Sequence, residues 1–209
     1  MRPTIRSSTR ARAAVRVPFA SIALLFVVLQ GSTFLGCGRG DVLEEVRANQ
    51  AAGRYQETVE PLRALLAEDR DAPEVNYRYG LALTMLGQPS LAEWSLRKAM
   101  KDPEWRVPAA NQLAQGALVS QNFDTALEAI NIVVEAEPEN IEALMMRANT
   151  LAHSKLDYVQ ALADADRMLE LDPDFLEAYE PKVLSLIGLE RFDEVGAAIE
   201  EMGERMKEL

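Results

Sequence analysis

A short block recurs along this 209-residue chain at an almost constant interval. Gly53-Arg54-Tyr55-Gln56-Glu57-Thr58 is answered 34 residues later by Gly87-Gln88-Pro89-Ser90-Leu91-Ala92, and 34 after that by Gln121-Asn122-Phe123-Asp124-Thr125-Ala126. Leu156-Asp157-Tyr158-Val159-Gln160-Ala161 follows after 35, one residue being inserted, and Glu190-Arg191-Phe192-Asp193-Glu194-Val195 after 34 more. A fixed period in this range is the mark of stacked, like units rather than of one irregular globule. Each block reads as a turn with an aromatic or Pro, followed by the start of a helix. The units are 39–72, 73–106, 107–140, 141–175 and 176–209. None can bury its apolar face alone, so each is stabilised by its neighbours.

The residues between the blocks are helix material. Leu127, Ile130, Val133 and Val134 keep one face of a 3.6-residue period. The apolar content is 48 % and aromatics only 6 %, which leaves Ala, Leu, Val and Met to fill the core; Ala and Leu are strong helix formers. Pro89 and Pro108 are placed at helix starts, where the missing N–H costs nothing. Pro138 and Pro173 are placed beyond helix ends as stops. Pro61 and Pro181 fall inside helices, where a kink or a shortened first turn is expected. Trp94 and Trp105 are expected toward the convex side, Trp105 in a loop.

The units resemble the tetratricopeptide repeat (TPR) family over residues 39–209. Tyr79-Gly80, Ala92 and Ala99 stand at the family's signature places in the second unit, and Leu113-Ala114, Phe123, Ala126 and Pro138 in the third. Ala148, Ala161 and Pro173 match in the fourth, and Tyr179, Phe192 and Ile199 in the fifth. The outer units depart most, with Thr58 and Val195 at the usual Ala and Arg70 at the usual Pro. Terminal units of such arrays are commonly atypical. The resemblance implies an all-α, right-handed superhelical solenoid of five antiparallel helix pairs.

The N-terminus reads as an address. Arg2, Arg6, Arg10, Arg12 and Arg16 precede an uncharged run, 17–29, and then the small residues leading to Gly36-Cys37. A basic, an apolar and a small-residue zone in that order form an export signal. Phe34-Leu35-Gly36-Cys37 resembles a lipobox, which would make 1–36 a cleaved signal peptide, 37–209 the mature domain and Cys37 the lipid-bearing residue. Two other readings stand beside it: residues 17–36 as an uncleaved anchor, just long enough to span, or ordinary cleavage near a stray Cys. All three put the acidic body on the periplasmic side of the inner membrane, because arginines stay inside.

Removing those five arginines from the formal −11 leaves −16 on residues 37–209. Such a body repels phosphate backbones, which argues against nucleic acid. One Cys allows no internal disulfide. One His, His153, gives little material for a metal cage or a His-dependent triad. No phosphate loop, zinc pattern or nucleophile motif is present, so no cofactor, no small-molecule substrate and no catalysis are expected.

Function is expected in a groove lined by the first helix of each unit. The helical period places Tyr77, Leu81, Thr84 and Met85 there in the second unit, Asn111, Gln115 and Leu118 in the third, and Met145, Asn149, Ala152 and His153 in the fourth. Asn and Gln can bond the backbone of an extended peptide, while Tyr, Leu and the adaptable Met hold its side chains. The same residues read equally well as ordinary, partly solvated helix positions. Arg47, Arg78 and Arg147 are the cations assigned to that face, too few for the carboxylate-holding set of chaperone-binding TPR domains. A basic or apolar protein partner fits better. Asp164 and Asp166, two apart on a helix, point to different faces.

Overall fold

The computed structural model describes residues 38–208. The expected export signal, the anchor and Cys37 lie outside the described residues. Ten α-helices and no strand are found among the described residues. They pair as α1 (Arg39–Ala51) with α2 (Tyr55–Glu68), α3 (Pro73–Met85) with α4 (Pro89–Ala99), and α5 (Pro103–Val119) with α6 (Phe123–Ala136). Then come α7 (Ile141–Ser154) with α8 (Tyr158–Leu171) and α9 (Tyr179–Gly188) with α10 (Phe192–Glu208). A single 3-10 turn, Leu176–Ala178, leads into α9. Each helix packs on the next in sequence, both within a pair and between pairs. The fold is therefore an all-α helical repeat.

The turns inside the pairs share one backbone device. Gly53, Gly87, Gln121, Lys155 and Glu190 all have φ between 56° and 74°. They occupy the same place in five successive units, and in each the chain leaves the first helix through a left-handed residue, as helix ends commonly do. Gly accepts this φ freely; Gln, Lys and Glu do so at a cost. The extra residue of the fourth unit is absorbed here, as Leu156 between left-handed Lys155 and the N-cap Asp157.

Helices α5 to α8 start at polar caps. Asn122 Oδ1 accepts from Thr125 N at 3.3 Å, Asn140 Oδ1 from Ala143 N at 3.0 Å and Asp157 Oδ1 from Gln160 N at 2.9 Å. Asp102 does the same for Glu104 N at 3.0 Å. That cap starts α5 at Pro103, which corrects two expectations. Pro108 lies inside the helix rather than at its start, and Trp105 lies on the helix rather than in a loop. Lying one turn in, Pro108 removes the bond that an N–H there would donate to the Glu104 carbonyl. Pro61 lies within α2. Pro181 sits in the first turn of α9, and the three residues before α9 tighten into the 3-10 turn.

Small residues set the helix spacing. Ala92, Ala99, Ala109, Ala110, Ala114 and Ala126 are fully buried in the central cluster. At Gly80, where α3 crosses α4, an added Cβ would overlap the Leu96 side chain. Separate apolar clusters form around Val46, Leu62 and Val75 toward one end and Leu162, Tyr179 and Leu186 toward the other. That partition is the one-dimensional packing of a repeat array.

Candidate protein-binding groove

The first helices do not form one continuous wall. α3 lies against α5 and α7 against α9, whereas α5 and α7 scarcely touch. The expected groove residues divide accordingly, with Tyr77, Leu81, Thr84, Asn111 and Gln115 on the α3/α5 side and Met145 and Asn149 on α7.

Tyr77 is half-buried, and its ring lies 4.9 Å from that of Trp105, tilted by 36°. This ring pair ties α3 to α5, and burial pushes the Tyr77 phenol up from its ordinary pKa. Trp105 thus belongs to the first-helix layer, a placement that its reading as a loop residue had missed. Thr84 Oγ1 donates to Gly80 O at 3.0 Å, and its methyl lies over Gly116 of α5, where an added Cβ would come within 3.6 Å of it. Gln115 Nε2 donates to Asn111 Oδ1 at 3.4 Å, so these two amides face the same side of α5. Leu81 is half-buried, and Met145 packs against the central cluster. Asn149 Oδ1 is buried with no hydrogen-bond partner. A buried, unpaired carbonyl is a site that a donor would stabilise.

Arg147 is not a groove cation. Its guanidinium turns toward the second helices, to Asp164 of α8 and to Asn131 of α6. Asp164 is buried in that pair, whereas Asp166 reaches Lys182 at 3.0 Å, so the two carboxylates face different ways. Arg47 and Arg78 both hold Glu74, through Nε to Oε1 at 2.8 Å from Arg47 and 2.7 Å from Arg78. Their cationic charge is spent within the protein.

A further row stands out once the units are superposed in register. Met85, Val119 and His153 occupy the same place, 34 residues apart, at the ends of α3, α5 and α7, and Ile187, one place earlier in its unit because of the inserted residue, lies at the end of α9. Met85 is 54 % exposed, Val119 76 % and Ile187 46 %. His153 Nε2 lies 3.3 Å from the Glu180 carboxylate across the α7/α9 contact. Met85 and His153 are expected in the groove from the sequence; the repeat interval also points to Val119, whereas Ile187 is found only from its exposure. Among the described residues no group of three or more His, Cys, Asp or Glu is placed to hold a metal ion, and no helix is long and apolar enough to cross a membrane.

Comparison with solved structures settles the fold. MamA, a TPR-repeat protein, superposes with a TM-score of 0.71 at 16 % identity, covering 81 % of this chain and 92 % of its own. Residues 41 to the end of MamA from Desulfovibrio magneticus RS-1 give 0.69 at 19 % identity, covering 82 % and 95 %. The chain has the fold of a tetratricopeptide-repeat solenoid. Two curated proteins share segments with this chain. One is the rice (Oryza sativa subsp. japonica) Protein SGT1 homolog, 39 % identical over 88 residues, 42 % of this chain. The other is rat (Rattus norvegicus) Sperm-associated antigen 1, 36 % identical over 66 residues, 32 % of this chain. The chain spans only 23 % and 7 % of their respective lengths. No family model matches the chain.

Proposed function

We propose that this TPR protein is a membrane-anchored, extracytoplasmic scaffold that holds a protein partner in its first-helix groove and helps assemble a cell-envelope complex, with no catalysis of its own. The exposed apolar residues Met85, Val119 and Ile187, at the ends of α3, α5 and α9, carry this reading. Exposed apolar side chains stand near the ends of three first helices on a strongly acidic body, two of them at the same place of adjacent units, and solvation alone gives no reason for that. Asn111 and Gln115, paired on one side of α5, supply backbone-binding groups on the same helix as Val119. TPR scaffolds bind proteins, and the same fold here offers the same kind of surface. The anchor is argued from the five N-terminal arginines, the apolar run 17–29 and Cys37. A lipid on Cys37 would hold an acidic body near a membrane that its charge alone would avoid.

A pull-down from detergent-solubilised envelopes, full-length protein against the Cys37→Ser variant, tests the pair of claims. An envelope protein recovered by the wild type and lost with Cys37→Ser is the expected result. Equal recovery by both would remove the anchor from the binding role, and recovery of an enzyme would make the chain its accessory subunit.

A further inference from the structure

The junction between the first and second units carries an open cleft. It encloses about 250 Å³ and is lined by Arg63, Leu66, Ala67 and Arg70 of α2, Tyr79 of α3 and Trp94 of α4. At the following junction Arg97, 34 residues after Arg63, grips Glu128 through two bonds of 2.8 and 2.9 Å. Glu128 stands 34 residues after Trp94. Trp94 therefore occupies the place from which a carboxylate should reach Arg63. Arg63 makes do with the Tyr79 phenol at 3.0 Å from Nε and its own helix's Glu60 at 2.6 Å from Nη1. Its Nη2 makes no hydrogen bond among the described residues.

The rest of the cleft is arranged around that gap. The Arg70 guanidinium makes no hydrogen bond or ion pair among the described residues, although it stands where this fold usually places a Pro. Trp94 is 58 % exposed, large for an indole. Its ring is held by the Lys98 ammonium, 4.4 Å from the ring centre. Lys98 is itself fixed by Asp71 Oδ1 at 2.6 Å and Arg70 O at 3.0 Å. The indole and two guanidiniums are thus presented over an apolar floor of Leu66 and Ala67. A guanidinium binds a carboxylate bidentately, and an aromatic anchor beside it takes an apolar side chain.

We infer that this cleft, on the second helices and separate from the first-helix groove, is a docking site for an acidic peptide segment. The segment's carboxylate takes the place that Glu128 holds at the next junction, bridging Arg63 and Arg70, and a neighbouring aromatic or aliphatic residue packs on Trp94 in a space of side-chain size. The acidic charge of the body as a whole repels such segments elsewhere, whereas here cation, indole and apolar floor meet.

The test uses the full-length protein in detergent micelles and an array of capped octapeptides with Glu-Phe or Glu-Leu at the centre and varied flanks, each matched by a peptide with Gln for Glu. Fluorescence anisotropy of dye-labelled peptides gives the titration, in wild type and variants alike. The expected result is saturable binding to Glu peptides about tenfold or more tighter than to their Gln partners, lost in Arg70→Gln and in Trp94→Glu with the far-ultraviolet helical signal unchanged. Trp94→Glu closes the site from within, because its carboxylate meets Arg63 as Glu128 meets Arg97. The proposal is overturned if no Glu peptide binds, if the Gln peptides bind equally, or if Arg70→Gln binds as the wild type does. Phenylacetate binding as tightly as the best peptide would also overturn it, by making the cleft a small-carboxylate site.

Discussion

Arg147 of α7 and Asp164 of α8 are joined by two parallel hydrogen bonds, Nε to Oδ2 and Nη2 to Oδ1, both 2.7 Å. The Asp164 side chain is 4 % exposed and that of Arg147 15 %. Gln160 donates to the same carboxylate at 2.9 Å and Asn131 accepts from Arg147 at 3.0 Å, so the pair is satisfied on every side and links three helices.

Removing one partner of this pair leaves the other charge buried. Asp164→Ala is expected to destabilise the chain by roughly 3–5 kcal/mol. Arg147→Met combined with Asp164→Leu should recover most of that loss, since apolar residues of similar size tolerate the site. Urea unfolding of the two variants checks both. A double variant as unstable as the single would show that the pair organises the α7/α8 crossing rather than merely filling it.

Ala126 is fully buried where α6 crosses its neighbours. Ala126→Leu overpacks that crossing and should cost roughly 1–3 kcal/mol. An unchanged denaturation midpoint would place the helix crossing elsewhere.

The left-handed turns make opposite predictions for different residues. Gly87 has φ 73°, and Gly87→Ala should destabilise by about 1 kcal/mol, since Ala pays the left-handed penalty. Glu190 has φ 58°, and Glu190→Gly should relieve strain, a gain partly offset by the freer unfolded chain. Thermal melts read both, and a rise for Gly87→Ala would contradict the common turn geometry.

Glu74 gives the stability a dependence on pH. The Arg47 hydrogen bond, with help from Arg78, holds its carboxyl below the ordinary value of 4.5 despite partial burial. A depressed folded pKa means that this contribution is present in full above about pH 4.5 and is lost as pH falls through the folded value. Denaturation midpoints should therefore fall more steeply below pH 4.5 for wild type than for Glu74→Gln. Identical slopes would show that the two arginines do not act on Glu74 in solution.

Much of this architecture was legible because a 34-residue interval is visible without any structure. The blocks at Gly53, Gly87, Gln121 and Glu190 mark the turns, and two of them carry the Gly that a left-handed residue prefers. Gln121, Lys155 and Glu190 gave no such sign, because a non-Gly residue at positive φ is chosen by the surrounding helices and not by its own preference. α5 was read as starting at Pro108 since two prolines, Pro103 and Pro108, can each open a helix; the Asp102 cap decides between them, and Trp105 moves onto the helix with it. Arg147 was assigned to the groove by helical period alone, but its direction is set by Asp164, 17 residues away on another helix. The Trp94 cleft depends on what is missing when two junctions are compared, which becomes visible only once Arg97 and Glu128 are seen to meet.

The row on the first helices is the heart of the account, and one measurement addresses it directly. Full-length protein and a Met85→Glu, Val119→Glu, Ile187→Glu variant would be used to capture partners from solubilised envelopes, with circular dichroism on both. All three side chains are exposed, so the helical signal should be unchanged, and the account predicts that the envelope partner recovered by the wild type is lost from the variant. Recovery of the same partner by a folded variant would contradict the groove as the binding surface.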